Sequence, residues 1–128
     1  MAMAAMLAPV GCSLGGEDEP ERAAGPAREI AATVDRLERA VAGEDFATVC
    51  DELFTARARE RAGGKECAAQ VGSAAEGLRR PAIEPAEIRV EGERATVAVF
   101  TTAAGQARVR DELQLRREGG RWLVEALR

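Results

Sequence analysis

The sequence predicts an α+β domain in which N-terminal helices pack on one face of a four-stranded antiparallel meander. Two observations carry this. Between Arg28 and Leu78 apolar residues recur at three- and four-residue steps, whereas beyond Pro85 they recur at every second residue. The alternating half is also broken by short Gly-bearing turns, which force successive strands to run antiparallel. At 128 residues, with a leader and a linker removed, the chain supports one core and not two.

The uncharged opening run, Met1 to Gly11, ends at Cys12, with small, flexible and acidic residues after it. This resembles the end of a bacterial lipoprotein signal peptide, where the cysteine is lipidated and becomes the mature N-terminus. Two features depart from that pattern: no Lys or Arg precedes the apolar stretch, and Pro9 stands where a branched apolar residue belongs. A start further upstream would supply the missing positive end. The competing reading is an apolar tail with a free thiol on a cytosolic protein. Crossing a membrane takes about 20 apolar residues, so any anchoring here would come from lipid.

Residues 13–27 combine Gly, Pro and like charges without an apolar period and read as a disordered acidic tether. The net charge of −4 is concentrated there, four acids standing against Arg22, and the rest of the chain is nearly neutral. From Arg28 onward Ile30, Val34, Leu37 and Val41 form one stripe and Glu29, Asp35, Arg36, Glu38 and Arg39 the other face, an amphipathic helix that Gly43 stops. Asp45 then caps a short helix through Phe46, Val49, Cys50 and Leu53. A polar stretch leads to Gly63-Gly64, after which Cys67, Val71, Ala74, Ala75 and Leu78 mark a third helix ending before Pro81. Cys50 and Cys67 thus lie on consecutive helices and are expected to form a disulfide, the alternative being two buried thiols packed as small hydrophobes. An alanine-rich core gains little per residue, so a cross-link worth about 3 kcal/mol has a physical task.

In the second half Ile88 and Val90 precede a Gly92-Glu93 turn. Ala95, Val97, Val99 and Thr101 line one side of the next strand, and Ala103 to Gln106 reverse the chain. Val109, Leu113 and Leu115 form the following inward set, and Gly119-Gly120 lead to a last strand with Trp122, Val124 and Ala126 facing in.

Three fragments, Gly43-Glu44-Asp45-Phe46, Gly92-Glu93-Arg94-Ala95-Thr96-Val97 and Gly119-Gly120-Arg121-Trp122-Leu123-Val124, resemble the nuclear transport factor 2-like superfamily, in particular its small extracytoplasmic bacterial members. The resemblance implies a single domain over residues 28–128 whose curved sheet wraps the helices into a cone, with an open end that holds a ligand in some members. Enzymes of that superfamily use a tyrosine with carboxylates or a His/Asp arrangement; this chain has neither Tyr nor His. Asp111 is the one remaining candidate base. Strict alternation places it with Val109, Leu113 and Leu115, and a bulge near Gly105 would instead turn it to solvent, the placement preferred because buried unpaired carboxylates are rare. Thr101 and Trp122 complete the candidate pocket, although a tryptophan opening a final strand is more often core or rim packing.

Other signals fall away. Gly63-Gly64-Lys65 lacks the earlier glycine and the Ser or Thr of a phosphate loop. The adjacent acids Asp51-Glu52 and Asp111-Glu112 point different ways and make no metal clamp. No basic stripe interleaved with aromatics exists, so nucleic acid is not an expected partner, and no cofactor is expected. The expected function is a non-enzymatic domain at the cell envelope, lipid-anchored to the outer face of the cytoplasmic membrane or secreted, that binds a small apolar ligand or a partner protein. Two alternatives stand beside it: a small lyase or isomerase using Asp111 as base, and a structural module that homodimerises through the sheet face carrying Arg94, Thr96, Ala98, Phe100 and Thr102.

Overall fold

The structure, a computed structural model, describes residues 14–128, with side chains from Gly25 onward. The expected signal remnant ending at Cys12 lies outside the described residues. Helix α1 spans Leu14–Ala42, so residues 14–27, expected as a tether, are helical backbone. Pro20 and Pro26 lie within this helical backbone, and neither has an N–H to donate to the preceding turn. Among the described side chains of α1, Ile30, Val34, Leu37 and Ala40 are buried, with Val41 half-buried beside them.

α1 ends in a Schellman arrangement, in which Asp45 N–H donates to Ala40 O at 2.8 Å and Glu44 N–H to Val41 O at 3.1 Å. The left-handed residue of this cap is Glu44, at φ 56°, and not Gly43. Asp45 caps α2 (Phe46–Thr48) as expected, accepting from Thr48 N–H at 3.2 Å and Thr48 Oγ1 at 2.7 Å. The chain widens into a single π-helical turn, Val49–Leu53, that buries Val49, Cys50 and Leu53. A short helix, α3 (Ala56–Arg61), occupies the stretch expected to be irregular; Thr55 caps it, its hydroxyl accepting from Ala58 N–H at 3.0 Å. After the left-handed Gly63, a 3₁₀ turn at Gly64–Glu66 opens α4 (Cys67–Ala74), which ends before the expected Leu78. Cys50 and Cys67 form a disulfide, with Cα atoms 6.1 Å apart.

The sheet comprises β1 (Ala82–Glu91), β2 (Arg94–Thr102), β3 (Val109–Glu118) and β4 (Arg121–Leu127), antiparallel throughout in the order β1-β2-β3-β4. β1 starts before Pro85, earlier than expected, because an edge strand tolerates a proline whose missing N–H faces away from the ladder. A bulge follows at once: Pro85 pairs with Val99 and Glu87 with Ala98, leaving Ala86 extra. A second bulge makes Glu125 extra, since Leu115 pairs with Val124 and Gln114 with Ala126. Such bulges bend and twist a sheet. The one at Glu125 also corrects the reading of β4: Ala126 leaves the inner face and Leu127, opposite Leu113, takes its place.

The inner face packs on α1 and the π-helical turn. Val97, Val99, Leu113, Leu115, Trp122 and Val124 meet Ile30, Val34, Val49 and Leu53 in one core. Two polar joints lock the layers. Glu38 of α1 accepts from Ile83 N–H of β1 at 2.7 Å. On the other side Phe54 bridges Val124 in parallel, and Thr55 N–H donates to Val124 O at 3.0 Å. Thr55 is fully buried, its hydroxyl donating to the Glu125 carboxylate at 2.5 Å.

Candidate functional site

Residues from four strands, from α1 and from the segment between α4 and β1 converge at the end of the sheet where β2 meets β3. They leave a cleft of about 220 Å³. One wall is strand: Ile83 of β1, Thr101 and Thr102 of β2, Val109 and Asp111 of β3, and Leu127 of β4. The other is Val41 of α1 with Leu78 and Pro81 from the segment between α4 and β1. That segment is held by Ala104 N–H, which donates to Arg79 O at 2.7 Å. Arg80 stands at φ 50° directly before Pro81, a left-handed backbone rarely taken by an arginine.

Asp111 reaches this cleft because its register is the strict one. It pairs directly with Val99, which is fully buried, and Thr101 pairs with Val109. The preferred expectation that a bulge near Gly105 would turn Asp111 outward is corrected: Gly105, at φ 80°, serves the loop before β3 and leaves the alternation of the strand intact. Asp111 is half-buried, and Thr101 Oγ1 lies 3.2 Å from its Oδ2 and 3.5 Å from Val109 O. A hydroxyl has one proton, so the carboxylate at the shorter distance is its better acceptor. Among the described residues no Lys or Arg pairs with Asp111 within 4.0 Å.

Of the expected pocket residues, Thr101 and Asp111 therefore come together and Trp122 does not join them. Trp122 is 4% exposed within the core, and its face toward solvent borders a separate hollow with Thr33, Arg36 and Glu52. Thr33 Oγ1 donates to the Trp122 carbonyl at 3.0 Å, while the buried indole Nε1 has no hydrogen-bond partner among the described residues. Leu78, Leu127 and Val41 were not expected at a site. Leu78 carried a helical signal and Leu127 is displaced inward by the Glu125 bulge, so neither position could be placed there by periodicity alone.

The cleft offers one carboxylate, the hydroxyls of Thr101 and Thr102, the amide of Gln106 and otherwise apolar walls. That set can anchor a hydrogen-bond donor or a cation while burying an apolar body. Among the described residues no group of three or more carboxylate or cysteine side chains is arranged to hold a metal ion.

No described sequence family matches the chain, and no curated protein does. Solved structures do. An NTF-2-like protein of unknown function from Silicibacter pomeroyi DSS-3 aligns with TM-score 0.62 at 18% identity, over 83% of this chain and 98% of that one. A protein of the Rd1NTF2 series aligns with TM-score 0.58 at 19% identity, over 80% of this chain and 95% of that one. The α+β architecture is thus a nuclear transport factor 2-like fold, helices cupped by a curved four-stranded antiparallel sheet.

Proposed function

We infer that this chain is a non-enzymatic binding domain of the cell envelope, and that its cleft takes a small, mainly apolar molecule through a cationic or hydrogen-bond-donating end. One observation carries the reading. Of the four large hydrophobic side chains exposed among the described residues, three, Leu78 (37%), Val109 (48%) and Leu127 (62%), ring the mouth of this one cleft, with the Thr101–Asp111 pair on its wall. Exposed apolar groups gathered around a concavity favour an apolar occupant, since covering them removes surface from water at about 25 cal/mol per Å². The volume lies below the roughly 300–1,000 Å³ of drug-sized sites, so the occupant is a small molecule and not a large cofactor. Binding is favoured over base catalysis because the wall holds no cationic side chain to stabilise charge developing on a substrate.

The envelope placement is supported by the Cys50–Cys67 disulfide, a bond that persists in oxidising compartments and is rare in the cytosol. No described helix is long and apolar enough to cross a membrane, and attachment through a lipid at Cys12 remains part of the proposal.

Titration with benzylamine, benzyl alcohol and benzoate, followed by amide chemical shifts, tests the cleft. Benzylamine is expected to bind most tightly and benzoate least, with shifts centred on Thr101, Val109 and Asp111. Asp111→Asn should weaken benzylamine about tenfold, some 1.4 kcal/mol, and leave benzyl alcohol nearly unchanged. An order in which benzoate binds as well as benzylamine, or shifts lying elsewhere, would remove the basis of this assignment.

A further inference from the structure

The sheet's outer face carries a second concavity, larger than the cleft, about 380 Å³. Three guanidinium side chains line it: Arg94 from the start of β2, Arg116 from β3 and Arg57 from α3. Arg94 and Arg116 are direct cross-strand partners. Like charges placed directly opposite one another destabilise a sheet. Here, among the described residues, none of the three arginines has an acidic partner within 4.0 Å, although six other arginines of the chain do.

Two acids share the lining. Glu125 is already engaged, by Arg61 at 3.7 Å and by the Thr55 hydroxyl. Glu91 stands opposite Arg94 in the β1–β2 register and does not close to an ion pair. The remaining polar groups, Thr96 and Gln114, are cross-strand partners in the next row and present further hydrogen-bonding capacity to the same hollow.

We propose that this outer hollow is an oxyanion site, built to receive a phosphate-type group between Arg57, Arg94 and Arg116. A guanidinium offers a planar fork of donors that matches two oxygens of a phosphate, and such charge-assisted pairs are about twice as strong as neutral hydrogen bonds. An anion with several oxygens satisfies more than one fork and relieves the repulsion between Arg94 and Arg116. The unpaired cross-strand arginines are then kept for the ligand and not for the fold. Site and ligand chemistry are independent of the apolar cleft, which opens at the opposite end of β2 and β3.

Calorimetric titration with pyrophosphate at low ionic strength tests the site, with a parallel arm of phosphatidylglycerol vesicles against phosphatidylcholine vesicles in a sedimentation assay. Arg94→Gln, Arg116→Gln and Arg57→Gln should each weaken anion binding at least tenfold, and Arg116→Lys, which keeps charge but loses the fork, by less. Arg110→Gln, on the same face outside the hollow, should have little effect. Without anion, Arg116→Gln should melt no lower than the wild type, and pyrophosphate should no longer raise its melting temperature. Pyrophosphate binding with this pattern assigns a soluble phosphate compound; binding confined to phosphatidylglycerol vesicles with the same pattern assigns a lipid headgroup. Absence of both, or equal loss with Arg110→Gln, overturns the proposal.

Discussion

Glu44 sits at φ 56°, in a backbone region that costs an L-residue about 1–2 kcal/mol and costs glycine almost nothing. The position closes the C-terminal cap of α1, where glycine is the usual occupant, while the glycine of the pair stands one residue earlier at Gly43. Its side chain makes no hydrogen bond or ion pair among the described residues, so little is lost with it. Glu44→Gly is therefore expected to stabilise the domain by about 1 kcal/mol, read as a higher urea midpoint at unchanged slope. A lower midpoint would show that the side chain contributes more than the strain costs. Residues whose role is local were legible in the sequence: Asp45 caps the helix that begins beside it. Thr55 and Glu38 were not, because their partners, Glu125 and Ile83, lie 70 and 45 residues away and only the tertiary fold brings them together.

Among the elements, those with a clear apolar period were legible. α1, the Phe46–Leu53 segment, β2 and β3 stand where their periods place them. α3 was missed because Ala58 is its one buried side chain; its stability comes from the Thr55 cap and from packing on β4, neither of which leaves an apolar stripe. α4 proved shorter than its pattern, since Gly77 at φ 84° turns the chain before Leu78. The disulfide joins the π-helical turn, which is anchored in the core by Val49 and Leu53, to the first residue of α4, whose one buried side chain is Cys67 itself. Its reduction is expected to cost about 2–5 kcal/mol, and Cys50→Ala with Cys67→Ala should behave like the reduced protein. Non-reducing mass spectrometry of exported protein should show both cysteines in one linked peptide pair; free thiols at both positions would count against the envelope placement too.

At the scale of the whole molecule, the class of fold followed from the switch of period along the chain, and the cleft did not. Alternation alone aims Asp111 and Thr101 inward, yet the ring around them is assembled from Val41, Leu78 and Leu127, which are remote in sequence. The arginine hollow was equally hidden. Arg57, Arg94 and Arg116 are ordinary polar positions until pairing sets two of them opposite each other and α3 brings the third.

The parallel bridge from Phe54 to Val124, continued by the Thr55 N–H bond, occupies backbone groups that β4 would otherwise present to solvent. The opposite margin, β1, is blunted by Pro85, the extra Ala86 and the exposed charges of Glu84, Glu87, Arg89 and Glu91. A folded copy thus gives a neighbouring chain no long, flat edge on which to add a strand. The guard over β4 directly follows the turn that holds Cys50, so loss of the disulfide is expected to loosen that guard. Reduced protein should accordingly form light-scattering aggregates at concentrations where the oxidised protein stays clear, and equal clarity of the two would mean that Phe54 and Thr55 hold their places without the bridge.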